Sequence, residues 1–138
     1  MNASTTTAAT QFFGRVLMSA IFLGAGVSKI GAYAGTQAYM ESMGVPGAML
    51  PVVIALEIGA GLAVLLGWQT RISALLLAGF SVLSALIFHA DFGDQTQSIL
   101  FMKNLAMAGG LLMLVANGPG SWSVDTRLRS PSGGFHHA

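Results

Sequence analysis

The sequence predicts an all-α protein, a four-helix transmembrane bundle with both termini cytoplasmic. Three observations lead there. Apolar residue types make up 54% of the 138 residues and charged types only 8%, against about 25% charged in an ordinary soluble domain. Mean hydropathy is +0.70. Four long apolar runs are separated by short breaks of glycine, proline and polar residues. Six Lys/Arg and five Asp/Glu cannot furnish the polar shell of a soluble domain. They exclude equally a disordered chain and a nucleic-acid binder, whose footprint would be basic.

The runs cover 12–30, 49–66, 72–89 and 99–116. Each crosses most of a hydrocarbon core about 30 Å thick at about 1.5 Å per residue. None shows the alternation of a barrel strand, so helices satisfy the backbone in lipid. Three further spans also argue against a cleaved signal peptide at the first. Gly44-Val45-Pro46-Gly47 precedes the second span, with Pro51 suited to a first helical turn. Gly67 to Arg71 is a tight turn that makes the second and third helices antiparallel neighbours. Asp91 to Ser98 is a polar loop, and Gly118-Pro119-Gly120 stops the fourth helix. Residues 1–11 and 126–138 read as disordered or flexible tails, and His136-His137 is given no metal role. The long first connection holds Tyr33, Tyr39, Met40 and Met43. A short interfacial helix and an ordinary loop both fit it.

With four spans both termini share one side. Arg15, Arg71, Arg127 and Arg129 fall there, whereas the opposite loops carry Glu41, Asp91 and Asp94. The positive-inside rule assigns the arginine side to the cytoplasm. Trp68 and Trp122 lie at that interface as belt residues.

Within the spans the notable polar residues are Lys29, Glu57, His89, Lys103 and Asn104. An ionisable group at depth costs roughly 2.5–3.5 kcal/mol on insertion, so each is expected to pair or to face a cavity. Lys29 and His89 end their helices on the outer side. Glu57 is about 12 Å, and Lys103 about 6 Å, down from the outer ends of theirs. All fall in the outer half. Small residues share their faces: Gly26 with Lys29, Gly61 with Glu57, Gly110 with Lys103 and Ala85 with His89. These read as helix-contact faces, which points the polar groups inward.

Two readings of the cluster stand side by side. In the structural one, Glu57 neutralises Lys29 or Lys103, Lys29 snorkels to headgroups, His89 caps its helix and Asn104 joins helices. In the other, they form one outward-opening pocket in which Glu57 and His89 handle protons. Haem is not expected from a single intramembrane histidine. Nor is a metal site, and the absence of cysteine excludes a thiol relay, a disulfide and a Cys-ligated iron–sulfur cluster. A quinone needs only an apolar slot with a few hydrogen-bond partners. Met18, Phe22, Phe88, Phe101 and Met107 are candidates to line it, or plain packing.

The stretches GRVLMSAIFLGAGVSKI, YMESMGVP, LEIGAGLAVLLGWQTRISALLLAGFSVLSALIFH and FMKNLAMAGGLLMLVANGPGSWSVD together resemble the DoxX family of bacterial four-helix inner-membrane proteins. The resemblance runs from about Phe12 to Asp125. It rests on a combination: Gly14-Arg15, Lys29, Glu57-x-Gly59, Gly67, Thr70-Arg71, His89, Lys103-Asn104 and Gly118-Pro119-Gly120. It implies an inner-membrane location and a likeness to the small subunit of a thiosulfate:quinone oxidoreductase. It also implies links to quinone and catechol stress and to membrane oxidoreductase assemblies. The lack of cysteine argues against the disulfide handling of some distant relatives.

The leading expectation is a quinone-linked redox component. Glu57 and His89 would be its catalytic, proton-handling residues, and Lys29, Lys103 and Asn104 its ligand-binding ones. Electrons would come from a substrate or an oxidoreductase partner. The alternatives are a non-catalytic anchor or scaffold subunit of an oxidoreductase complex, and a small carrier for apolar or phenolic compounds. The glycine-rich faces Gly24–Ser28 and Gly59–Ala63 permit close packing within a protomer or in a homodimer.

Overall fold

The computed structural model describes residues 2–129. Six α-helices follow one another: α1 (Ala3–Gly31), α2 (Tyr33–Ser42), α3 (Leu50–Leu66), α4 (Thr70–Phe88), α5 (Gln95–Asn117) and α6 (Val124–Arg129), with a 3-10 turn at Gly47–Met49 before α3. Segments Ser4–Gly31, Gly47–Leu66, Thr70–Phe88 and Gln95–Asn117 are long and apolar enough to cross a membrane. The all-helical, four-span architecture is therefore as expected.

The element ends follow local chemistry. The Asn2 side chain accepts from Thr5 N–H at 2.8 Å and so caps α1. The Thr6 and Thr10 hydroxyls bond back to the carbonyls of Asn2 and Thr6. Residues 3–11, expected as a disordered tail, are thus helical, and Ala8 is buried. At the other end, 126–129 belong to α6. The rest of the expected tail, His136-His137 included, lies outside the described residues. Asp94 caps α5 through Thr96 and Gln97 N–H, so that helix starts at Gln95, four residues before its apolar run. Pro51 sits in the first turn of α3, where a missing N–H costs nothing. Gly67 ends α3 at φ +70°, and Trp68 N–H reaches back to Ala63 C=O at 2.8 Å. That left-handed cap reverses the chain within three residues and sets α3 and α4 antiparallel.

The spans pack chiefly as two pairs, α1 on α3 and α4 on α5, joined through α3 and α4; α1 scarcely touches α5. Phe22, Val64, Leu77, Ala78, Ala108 and Leu111 form the centre. Close approach within the α1/α3 pair depends on Gly26, where a Cβ would lie 2.6 Å from Ile58 Cγ1, and on Gly61 against Leu23. Gly24 and Gly59 meet nothing. The polarity pattern is that of a lipid-solvated protein. Leu17, Met113 and Val27 are exposed, while Arg15, Ser19, Glu57, Ser73 and Ser81 are buried. The first connection is helical, as one of its two readings had it. Met40 of α2 is buried, and α2 is pinned to the α3 entry by Gln37 Nε2 donating to Gly47 C=O at 3.1 Å.

Candidate functional site

In the half of the bundle away from the termini lies a cavity of about 490 Å³. All four spans and α2 contribute to it. Its walls are mostly apolar: Phe22 and Ala25 from α1, Val53 and Leu56 from α3, Phe80 and Ile87 from α4, Met107 from α5. Four polar or ionisable groups break that surface, namely Lys29, Glu57, His89 and Asn104, with Ser81 and Ser84 beside them.

Glu57 is only 1% exposed. Its Oε1 lies 2.7 Å from Lys29 Nζ, and the Lys29 side chain is 29% exposed. A charge on the α3 face that packs against α1 must be matched there, because no water is at hand to solvate it. Lys29, in the last turn of α1, can supply that match and still reach the cavity. The structural pairing and the cavity-facing position are therefore both real, and they involve the same two side chains.

His89 follows the last residue of α4, with its N–H on Ala85 C=O. Its Nδ1 lies 2.7 Å from Gln97 Oε1 in the first turn of α5, so His89 bonds Gln97 rather than Glu57. The donor and acceptor roles of that contact follow the imidazole tautomer. Asn104 Nδ2 donates to Ser81 C=O at 3.1 Å and ties α5 to α4, while also lining the cavity. That carbonyl is freed from no helix bond of its own; it is the second lone pair that Asn104 uses.

The structure corrects the expectation at Lys103. Lys103 is exposed and does not line the cavity. Successive residues on a helix are about 100° apart, so Lys103 and Asn104 cannot both face inward, and Asn104 takes the inward position. The face that Lys103 does occupy carries Ile99 and Met102, both more than half exposed. Among the proposed slot residues, Phe22, Phe88 and Met107 line the cavity. Met18 lies against Gly110 deeper in the bundle, and Phe101 packs edge-on against Phe92 at 5.0 Å. Among the described residues no three His, Asp or Glu converge as a metal site.

Two features of the bundle were missed from sequence, one in the site and one at the opposite end. One is the roof: Thr36, Tyr39 and Met40 of α2 line the cavity, and Tyr39 stacks on Phe88 at 5.5 Å and 28° between planes. The signal was Tyr39-Met40 within the first connection, which reads from sequence as either a short interfacial helix or a loop. The other is the clamp at the terminal end. Arg15 is 2% exposed. It donates to Val64 and Leu65 C=O, the latter at 2.9 Å, and to Trp122 C=O. This places a cation on the carbonyls of the last turn of α3, where the helix dipole favours positive charge. Asp125 accepts from Gln69 N–H, Thr70 N–H and Thr70 Oγ1 at 2.7–2.9 Å, which satisfies the α4 N-terminus. Burial alone would raise the Asp125 pKa, but those three bonds and Arg129 outweigh it and hold the carboxyl below its usual range. Gly14-Arg15, Gly67 and Thr70-Arg71 were visible in the sequence, but as a boundary; the structure buries Arg15, Gly67 and Thr70 there and leaves Gly14 and Arg71 exposed.

The DoxX family model matches residues 10–90, which takes in α1 to α4 and most of the cavity wall. The chain is 54% identical over 114 residues to inner membrane protein YqjF of Escherichia coli (strain K12), covering 83% of this chain and 88% of that protein. It is 36% identical over 121 residues to inner membrane protein YphA of the same organism, covering 82% and 86%. No solved structure gives a significant match. With four apolar helices able to span a bilayer and inner-membrane relatives of nearly the same extent, the chain is an inner-membrane protein in contact with the lipid bilayer, and it belongs to the DoxX family.

Proposed function

We propose that this protein is a quinone-linked membrane redox component and that the cavity walled by Glu57 and Lys29 is its quinone site. The observation that carries this reading is an apolar cavity of about 490 Å³ with a buried ion pair on its wall. The volume lies within the roughly 300–1,000 Å³ of small-molecule sites, which are mainly apolar with a few placed polar groups. A quinone, when bound, supplies a two-electron, two-proton couple. Tyr39 and Phe88 offer a ring a face to stack on. Lys29 Nζ offers a charged donor to a ring oxygen, and Asn104 a weaker one. Glu57 Oε1 holds a proton when its bond to Lys29 is exchanged for one to ligand. His89 exchanges protons at the cavity edge through the ring nitrogen that Gln97 leaves free. The apolar walls exclude water from these groups.

All four arginines fall at the end that carries the termini, which supports a cytoplasmic position for the termini and an opposite, external side for the cavity. Electrons would enter from an oxidoreductase partner or from an oxidisable phenolic substrate. One observation favours a second reading, a non-catalytic anchor for such a partner: Glu57, His89 and Asn104 all have partners within the chain.

Native mass spectrometry with added ubiquinone-1 separates the two. The redox reading expects a one-to-one adduct, weakened about tenfold by Glu57→Gln and abolished by Ser84→Phe, which fills the cavity. Adducts unchanged by both variants, in protein that remains folded, would leave the anchor reading.

A further inference from the structure

A second cleft, of about 530 Å³, lies between α1 and α5 at the terminal end of the bundle. It exists because these two spans scarcely touch. Met18 Cε approaches Gly110 closely there: a Cβ would lie 2.5 Å from the methyl. The lining is graded along the bundle axis. Toward the terminal edge it is polar, with Gln11, Arg15 and Asn117; deeper it is apolar, with Met18, Met113 and Leu114. Met113 is 67% exposed, so this wall is continuous with the lipid-facing surface.

Arg15 gives the cleft its charge. The side chain is 98% buried, being 2% exposed. Its Nη atoms are spent on the carbonyls of Val64, Leu65 and Trp122, but Nε has no partner among the described residues. A buried guanidinium N–H without an acceptor is costly. The surroundings are cationic as well. Arg71 lies against Gly118, which lines the cleft, with Nη2 3.2 Å from where a Cβ would stand. Four arginines and one aspartate sit at this end.

We infer that this cleft holds a glycerophospholipid of the leaflet on the terminal side. Its phosphate meets the Arg15 N–H and the Gln11 amide, and an acyl chain lies along Met18, Met113 and Leu114. An anion at the membrane edge with a hydrocarbon tail running inward has the same polarity gradient as the lining, and a phosphate oxygen supplies the acceptor that Arg15 Nε lacks. A phospholipid there would also fill the gap that leaves α1 and α5 apart. The inference does not depend on a quinone in the other cavity.

Gly14 provides a test outside the Arg15 hydrogen bonds. It lines the cleft, and no atom lies within 4 Å of the position a Cβ would take, so Gly14→Leu puts bulk at the cleft from a position with room for its Cβ. Gly24 is equally open and lines neither cavity, which makes Gly24→Leu the control. Delipidated protein is titrated with dioleoylphosphatidylglycerol, and separately with inorganic phosphate, and bound mass is read by native mass spectrometry. Wild type and Gly24→Leu are expected to retain a phosphatidylglycerol that Gly14→Leu binds about tenfold more weakly. Melting temperature should rise with lipid in the first two and not in the third. Equal retention by all three would overturn the inference. So would binding of inorganic phosphate without lipid, or a dimer that forms in place of the lipid adduct.

Discussion

The two ends of this bundle use similar polar side chains to opposite effect. At the terminal end Arg15 and Asp125 each hold several backbone groups, and the 118–129 segment folds back to close the α3–α4 turn, Asp125 N–H bonding Gly67 C=O at 2.8 Å. At the other end Lys29 and Glu57 hold chiefly each other, His89 holds one glutamine, and a cavity remains among them. A cation whose Nη atoms are spread over three backbone carbonyls keeps those partners whatever else binds, and serves the fold. A charge bonded to one partly exposed lysine has a partner that, in the proposed reading, a ligand displaces. The difference locates the candidate site more sharply than burial does, because Arg15 and Glu57 are both essentially inaccessible.

The largest expected effect lies at the closed end. Arg15→Met retains the bulk of the side chain but removes the donor to the Leu65 and Trp122 carbonyls and one of the two donors to Val64 C=O, which also accepts from Gly67 N–H. Each orphaned acceptor costs roughly 1–3 kcal/mol, so the total is expected at about 3–5 kcal/mol, read from the SDS-induced unfolding curve in mixed micelles. Arg15→Lys should recover only part, since an ammonium cannot span three carbonyls as a guanidinium fork does. Full recovery by lysine would mean that charge alone matters, and the contrast between the ends would weaken.

At the open end the effects are smaller and depend on which partner is removed. Lys29→Met leaves a buried carboxylate unmatched. Loss of one member of a fully buried pair costs about 3–5 kcal/mol; with Lys29 29% exposed, about 2 kcal/mol is expected. Glu57→Gln leaves a lysine that can turn outward, and should cost less. The double variant Lys29→Met/Glu57→Leu should regain most of the Lys29→Met loss, because the cost is that of the uncompensated charge. Additive losses on the same unfolding curves would show that each residue has further structural partners.

The spans and the four polar groups on the cavity wall were legible because hydropathy and the cost of buried charge are local properties of the chain. Glu57 could not lie at that depth unmatched, and Lys29 was one of few cations within reach. Lys103 was misread because the apolar run begins at Ile99 whereas the helix is capped at Asp94, and small neighbours such as Gly110 do not fix a helical phase to within the 100° that separates Lys103 from Asn104. The first eleven residues looked like a tail by composition, yet the Asn2 cap and the threonine back-bonds are enough to extend α1. The clamp was least legible. Its contacts join Arg15 to Trp122 and Asp125 to Thr70, across 107 and 55 residues, and no periodicity within one helix encodes such a pairing. For the same reason α2 read equally well as loop or helix: its apolar side chains are recruited by Phe88, a residue of α4.

The smallest effect is at Asp125, and its sign follows from the bonds that the carboxylate accepts. Those bonds favour the ionised form in the folded protein, so the folded-state pKa lies below the ordinary value of 3.8. Stability from this group is therefore complete above that value and is lost as pH falls through it toward the folded-state pKa. Asp125→Asn keeps one carbonyl acceptor but no charge, and should cost about 1 kcal/mol at neutral pH, the scale of a lost helix cap. The gap between wild type and Asp125→Asn should stay constant from pH 7 to about pH 5 and close below about pH 4, read as melting temperature in detergent. A gap that persisted unchanged below about pH 3 would show that it does not come from the ionised carboxylate, and the clamp would then owe nothing to that charge.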